Sequence, residues 1–245
     1  MDTRFWGPDG WKLLHSITVG YPDKPSEIEK ETYRLFFNCL KHVLPCIYCR
    51  RSYTGYIGEL PVEGYLDNKK KLVEWLYLIH NRVNDKLRKQ GLNPYDDPSL
   101  KEIHSRYINF VSEINGANCI NMPGWDFLYC VLFNYPEHKN EIETERQINY
   151  VIFFNYLPKV LPFPKVKKLL ENYIEKNPFV KHNSTRDSIT KWGYNFERLV
   201  SKAISCNCAP YDKIENHIEL YRAGCGGKKD VKPTCRLGNS PNAKK

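Results

Sequence analysis

Hydrophobic side chains in the first part of the chain recur every three or four positions. Trp11, Leu14 and Ile17 form one series, and Tyr33, Phe36, Phe37, Leu40, Val43 and Leu44 form a second. Both spacings predict amphipathic helices. Pro22 and Pro25 separate the two. Ser26 followed by Glu29 has the Ser-x-x-Glu form, in which each side chain satisfies a free backbone N–H at a helix start. The second helix is therefore expected to begin near Ser26. Leu72, Trp75, Leu76, Ile79, Val83 and Leu87 mark a further helix, closed by Gly91 and Pro94. Nothing here reads as sheet, so the predicted fold class is all-α.

The pattern occurs twice. WDFLYCVLFNYP at 125–136 echoes WKLLHSITVGYP at 11–22, an offset of 114 that keeps the tryptophan and the Tyr-Pro in register. At the same offset Glu141, Ile142, Glu143 and Glu145 repeat Glu27, Ile28, Glu29 and Glu31, with Asn140 expected as the cap in place of Ser26. The match resumes three residues later, with seven identities in eleven between 35–45 and 152–162. At this offset of 117, Trp75 meets Trp192 and Val83 meets Val200. An insertion of three is close to one helical turn and leaves both apolar faces aligned. The chain reads as a tandem duplication: a helical domain at 1–112, a second at 113–205, and a tail at 206–245.

Composition narrows the classes. A chain of 245 residues with 41% hydrophobic content can bury one or two ordinary cores, which excludes disorder throughout. No apolar run approaches the roughly 18 residues of a spanning helix, and MDTRFWGPDG lacks a basic-then-apolar leader, so a soluble protein without a cleaved signal is expected. The net charge of +9 is concentrated in residues 225–245, which carry six Lys/Arg and one Asp. A basic tail of this kind reads as a solvated segment. Neither a membrane nor a nucleic acid is the expected partner. Nine cysteines are too few for a disulfide scaffold of this length, and without a secretory signal a close pair is first a candidate for redox or metal chemistry.

Cys46-Ile47-Tyr48-Cys49 is such a pair, following a helical segment and Pro45. At the start of a helix, positions i and i+3 share a face, and the dipole, the free N–H groups and Arg50 and Arg51 would stabilise a thiolate. By itself the motif is ambiguous between a redox pair and half a zinc site. No second Cys-x-x-Cys or His-x-x-x-His follows at finger spacing, so no metal is expected there. Downstream, His80 and Asn84 lie four apart and Asn81 and Asn84 three apart. One helix face thus offers imidazole and amide groups to a planar, polar-edged ligand beside Ile79 and Val83. Trp11, Trp75 and His15 can pack on aromatic rings, and Lys86 and Lys89 can neutralise a pyrophosphate.

Trp11-x-x-Leu14-His15, then Cys46-x-x-Cys49, then His80-Asn81-x-Val83-Asn84-x-x-Leu87, in that order, closely resemble the Erv/ALR family of FAD-dependent sulfhydryl oxidases over about residues 5–110. The resemblance implies an FAD-binding helical bundle in which Cys49 lies nearest the flavin and Cys46 is the interchange thiol. It implies FAD contacts at Trp11, His15, Tyr21, His80, Asn81, Val83, Asn84, Lys86 and Lys89, and less securely at Arg106-Tyr107. Thiol-containing protein substrates would be oxidised to disulfides, with dioxygen as acceptor and hydrogen peroxide as product. Two features depart from the family pattern: Gly7 is followed by Pro8 rather than Arg, and Tyr77 stands where a structural cysteine is common.

The second copy has lost the chemical positions. His15 becomes Tyr129, Cys46 becomes Phe163, Cys49 becomes Val166, His80 becomes Glu197, Asn81 becomes Arg198 and Asn84 becomes Ser201. It resembles the degenerate Erv-like domain of quiescin-type oxidases and is expected to bind no FAD. Its expected role is an intrachain pseudo-dimer partner, with a homodimer of active domains left open. In the tail, Cys206 and Cys208 are the first candidate shuttle disulfide and Cys225 and Cys235 the second, a four-cysteine zinc clip being the alternative. Cys39, Cys119 and Cys130 read as buried small hydrophobes. The Lys, Asn, Ile and Tyr bias and the added helical half look like the oxidases of large DNA viruses, which would place the protein in host cytoplasm and virion; otherwise an intracellular location is expected. Two rival readings are a non-catalytic basic helical scaffold with a zinc clip, binding nucleic acid or a protein partner, and a flavin-free dithiol reductase.

Overall fold

The computed structural model describes residues 1–93, 95–117, 122–203 and 207–221. Among them are ten α-helices and no strand beyond one isolated bridge between His138 and Thr185. The helices are α1 (Thr3–Val19), α2 (Glu27–Val43), α3 (Ile47–Glu59), α4 (Lys69–Lys89), α5 (Leu100–Gly116), α6 (Trp125–Phe133), α7 (Thr144–Val160), α8 (Pro164–Lys176), α9 (Arg186–Ala203) and α10 (Tyr211–Leu220).

Local signals set the helix ends. Ser26 caps α2 in a reciprocal box: Glu29 N–H donates to Ser26 Oγ at 3.3 Å, and Ser26 N–H donates to Glu29 Oε2 at 2.7 Å. Ser99 and Glu102 repeat the arrangement at α5. At the end of α4, Gly91 takes φ +70°, so that Gly91 N–H reaches Arg88 O and Leu92 N–H reaches Leu87 O, both at 2.9 Å. These two bonds form a Schellman cap, which satisfies carbonyls the helix leaves open.

Helices α6 to α9 of the second half repeat α1 to α4 of the first. At an offset of 117, α2 and α3 fall on the bounds of α7 and α8, and the first residue of α4 falls on that of α9. Residues 11–19 of α1 fall on α6 at an offset of 114. Buried polar ties repeat as well. Tyr21 Oη donates to Leu66 O and Tyr135 Oη to Asn183 O, both at 2.8 Å. Trp75 Nε1 donates to Leu60 O at 2.9 Å, and Trp192 Nε1 to Asn177 O at 2.8 Å.

One expectation is corrected. Asn140 does not cap the second copy of α2: it lies in a 3-10 turn, Lys139–Glu141, and the residue before α7 is Glu143. The three extra residues therefore precede the helix, and the match of 141–143 to 27–29 is not structural. The longer connection is held in place by Lys139 N–H to Ser184 O (2.9 Å), Arg186 N–H to Glu137 O (3.2 Å) and burial of Ile142.

The two halves pack about a pseudo-two-fold axis, α1 against α6 and α2 against α7. Phe36 and Phe153, equivalent residues, stack at 5.5 Å between ring centroids. Gly124, at φ +105°, has room for no side chain: a Cβ there would lie 2.6 Å from Leu13 Cδ2. The mate of this contact sets Gly10 against Phe127. One buried apolar cluster runs through both halves. Large-to-small changes on either side of the axis are therefore felt by the other half.

Candidate active site

Helices α1 and α4 bring two histidines together. Leu13, Leu14 and Ile17 sink one side of α1 into the core, and Leu72, Val73, Trp75, Leu76 and Ile79 do the same for α4. His15 and His80 meet on the facing sides, with Nε2 of His15 3.0 Å from Nδ1 of His80. One ring nitrogen must donate and the other accept, so the contact requires at least one neutral imidazole. Burial goes further. It pushes His15 down to about 3, helped by His80 and Arg106, and pushes His80 down to about 4 against the opposing pull of Asp97. Both rings are uncharged at neutral pH.

Flat surfaces enclose the pair. Trp11 stacks on His80 at 3.8 Å and 10°, and Tyr107 from α5 stacks on His15 at 4.7 Å and 15°. His15 Nδ1 is buried without a hydrogen-bond partner within the protein. A buried imidazole nitrogen left in this way costs free energy unless a ligand or water meets it.

Along the outer face of α4, Asn81 and Val83 are half-buried, and Asn84 Nδ2 donates to Asp97 Oδ1 at 2.6 Å. Asp97 also takes a bidentate pair from Arg88 at 2.7 and 3.2 Å, which holds its carboxyl below the usual range. Lys86 Nζ donates to Ser52 Oγ at 2.7 Å, tying α4 to α3. Beyond it lies an open cleft of about 400 Å³, lined by Tyr56, Arg82, Asp85, Lys86, Lys89 and Gln90.

Cys46 is the N-cap of α3 and Cys49 lies in its first turn. Ser52 is one turn beyond Cys49, so the Lys86–Ser52 bond places the cysteine pair beside the α4 face. Arg50 Nη1 donates to Leu44 O at 2.8 Å, bringing a guanidinium to the turn before Cys46. Cys46 is 5% exposed, whereas Cys49 is half-buried.

Of the residues expected to contact a flavin, Trp11, His15, His80, Asn81, Val83, Asn84, Lys86 and Lys89 all lie on or beside this surface. Tyr21 is placed apart. It is fully buried, its hydroxyl is used on Leu66 O and its ring packs on Tyr33, as Tyr135 does on Tyr150 in the half lacking the histidines. These contacts tie it into the core. Cys206, Cys225, Cys235 and Cys119 lie outside the described residues, whereas Cys39 and Cys130 are buried as expected. Cys208 sits beside Glu197 of the second half; burial and that carboxyl push its thiol up to about 11. Sequence reading missed Asp97, which sits in a loop without periodicity, and Ser52, an isolated hydroxyl on α3.

The donor set fits a flavin dinucleotide. Stacked uncharged rings with an orphaned ring nitrogen suit a planar heterocycle, and the Lys86/Lys89 cleft suits phosphates.

Comparison with known proteins agrees with this chemistry. Residues 8–106 match the model of the Erv1 / Alr family. A probable FAD-linked sulfhydryl oxidase of Acanthamoeba polyphaga mimivirus is 39% identical over 85 residues, 34% of this chain and 59% of that protein. The mitochondrial FAD-linked sulfhydryl oxidase of Saccharomyces cerevisiae is 34% identical over 36% of this chain and 46% of its own length. The matches thus span about half the length of these two relatives. The FAD-linked sulfhydryl oxidase of African swine fever virus (isolate Pig/Kenya/KEN-50/1950) is 30% identical over 43% of this chain, and 92% of its length is covered. The crystal structure of the yeast Erv1 core aligns with a TM-score of 0.39 at 29% identity, over 44% of this chain and 84% of that one. The covered length of the swine fever virus relative, together with the matched motifs, establishes that this chain belongs to the Erv1 / Alr family.

Proposed function

We propose that the chain is an FAD-linked sulfhydryl oxidase that forms disulfides in protein substrates. The observation that carries this reading is the neutral His15–His80 pair, flanked by stacked Trp11 and Tyr107 and with its orphaned Nδ1, set beside a Cys-x-x-Cys at a helix N-terminus. Trp11, His15, His80, Asn81, Val83, Asn84, Lys86 and Lys89 would hold the cofactor. When bound, FAD supplies the two-electron chemistry that reoxidises the dithiol and reduces dioxygen to hydrogen peroxide.

The chain's own part is thiol–disulfide exchange. A substrate thiolate attacks Cys46 Sγ, a new sulfur–sulfur bond forms, and the Cys46–Cys49 bond breaks with its electron pair on Cys49. A second substrate thiolate then displaces Cys46, releasing the substrate disulfide and leaving the pair reduced. The N-terminus of α3 and Arg50 stabilise the thiolates formed in both steps. Cys46 is only 5% exposed, so the incoming thiolate must reach a largely covered residue.

The second half, residues 113–205, serves in this reading as a cofactor-free packing partner, and Cys206 with Cys208 as the shuttle pair. Activity in a viral host's cytoplasm and incorporation in the virion belong to the same proposal. The zinc-clip alternative rests on tail cysteines, most of which lie outside the described residues.

The test is a visible spectrum of the purified protein before and after a dithiol is added under air. Flavin absorption that bleaches and recovers while oxygen is consumed supports the oxidase, with turnover lost in Cys49→Ala. A colourless protein that cannot be reconstituted with FAD ends the proposal.

A further inference from the structure

The turn that presents Cys46 is held from the second half of the molecule. Carbonyls at the C-terminal end of α2 have no helical partner and must find one elsewhere. Arg146 Nε, from the first turn of α7, donates to His42 O at 3.1 Å. Arg50 takes Leu44 O. Asn134, just after α6, takes the next carbonyl: in the amide orientation that satisfies both ends, its Nδ2 donates to Pro45 O at 3.3 Å. Its Oδ1 then accepts from Arg146 Nη2 at 3.0 Å and from Arg50 Nη1 at 3.3 Å. Two guanidinium groups therefore converge on one amide oxygen beside the residue preceding Cys46.

The mirror position across the pseudo-dyad is built differently. Arg146 occupies the place of Glu29, Arg50 that of Lys167, Pro45 that of Pro162 and Asn134 that of Gly20. Glu29 and Lys167 are an attractive pair, with Lys167 helping to hold the Glu29 carboxyl down. Gly20 packs directly on Pro162, leaving no space for a bridging amide. The side carrying the cysteines thus has the less favourable local choices. Arg146 replaces the capping-box glutamate and Glu143 the capping serine, so α7 has no capping box. It also sets a cation at the positive end of a helix and faces a second, largely buried cation. Local rules broken together at one place point to function.

Resting on the reading of Cys46–Cys49 as the redox pair, we infer that Arg146, bridged through Asn134 to Arg50, is a positioning residue for thiol exchange. It anchors the 44–46 turn and holds the pair in a positive field supplied by the second half. When a substrate thiolate bonds to Cys46 and the Cys46–Cys49 bond breaks, the electron pair remains on Cys49 as a thiolate, and this field favours that state. Arg50 is the link to the pair: burial and Arg146 pull its pKa down, and Tyr150, Cys46 and Cys49 pull it up. Beside the turn, burial pushes His42 down, and its charged neighbours are Glu145 at 3.6 Å, Lys41, Arg146 and Arg50.

The test uses the full chain, reduced, with the pH dependence of iodoacetamide alkylation at Cys46 and Cys49 read by peptide mass spectrometry. Arg146→Gln is expected to move the midpoint up by roughly half to one pH unit and to shift equilibrium with glutathione toward the disulfide. Arg146→Lys should keep the midpoint near wild type. Lys167→Gln, the mirror change, should leave it where it was. If Arg146→Gln does not fold, Asn134→Asp decides, because a carboxylate between the guanidinium groups must move the midpoint in the same direction. An unmoved midpoint in the folded Arg146→Gln or in Asn134→Asp, or an equal move in Lys167→Gln, overturns the inference. Alkylation needs no turnover, so a wild-type protein without flavin or oxidase activity defeats the functional reading separately.

Discussion

Tyr129 donates its hydroxyl hydrogen to Glu197 in the second half, at the two positions that His15 and His80 hold in the first. Burial raises the Glu197 carboxyl above its usual range and the Tyr129 phenol with it. The equivalent site is thus a closed polar pair, and the apolar pocket around it, lined by Trp125, Leu128 and Phe196, holds only about 10 Å³. A chain should bind one flavin and not two. The ratio of flavin absorbance to protein concentration measures this, and Glu197→Gln should leave it unchanged while His80→Ala lowers it.

Acid should destabilise the fold through His15. Its folded pKa of about 3 lies below the usual 6.5, so the unfolded chain binds the extra proton as the pH falls through 6.5. Stability is therefore highest above that value, is lost on acidification, and levels off below the folded pKa. Between pH 7 and pH 5 the loss is about 2 kcal/mol for this one fully buried ring. Thermal melts across that range should show a shallower slope in His15→Leu than in wild type.

Asp97 fixes the amide of Asn84 and the guanidinium of Arg88. Without the carboxylate, Asn84 is free to rotate and the α4 face loses its preset donor. Asp97→Ala should weaken FAD affinity on the order of tenfold, the loss of one charged hydrogen bond, with little change in helix content. Flavin fluorescence titration of the apoprotein reads the first and circular dichroism the second.

Trp75→Phe and Trp192→Phe should destabilise the chain by similar amounts. Each removes an indole N–H from a carbonyl at an equivalent place, Leu60 or Asn177. An unsatisfied buried carbonyl costs about 1–3 kcal/mol. Urea unfolding midpoints give the comparison. A much smaller effect at Trp192 would mean that the two cores are not equivalent.

Cys208 tests the shuttle. If it relays electrons from proteins to Cys46, Cys208→Ser should lower turnover on a reduced protein several-fold and leave turnover on a small dithiol intact. Wild-type turnover on both substrates would assign the thiol to its contact with Glu197 alone.

Periodicity, Ser26–Glu29, Gly91 and the repeated Trp and Tyr-Pro positions determined the helices and their duplication, because these are local choices that each stretch of chain makes for itself. The motif residues identified the chemistry for the same reason: His80 and Asn84 share a face by spacing alone. What spacing could not supply was contact between distant segments. Only the tertiary structure decided that His15 meets His80 as a neutral pair, that Asp97 orients Asn84, and that Tyr21 bonds Leu66 O. It also placed the three-residue insertion before α7, so that Glu143 and not Asn140 stands at the cap. Arg146 and Asn134 carry no signal in their own segments. They come to the 44–46 turn because the pseudo-dyad folds α6 and α7 against α1 and α2, and burial there turns two ordinary polar residues into neighbours of the cysteine pair.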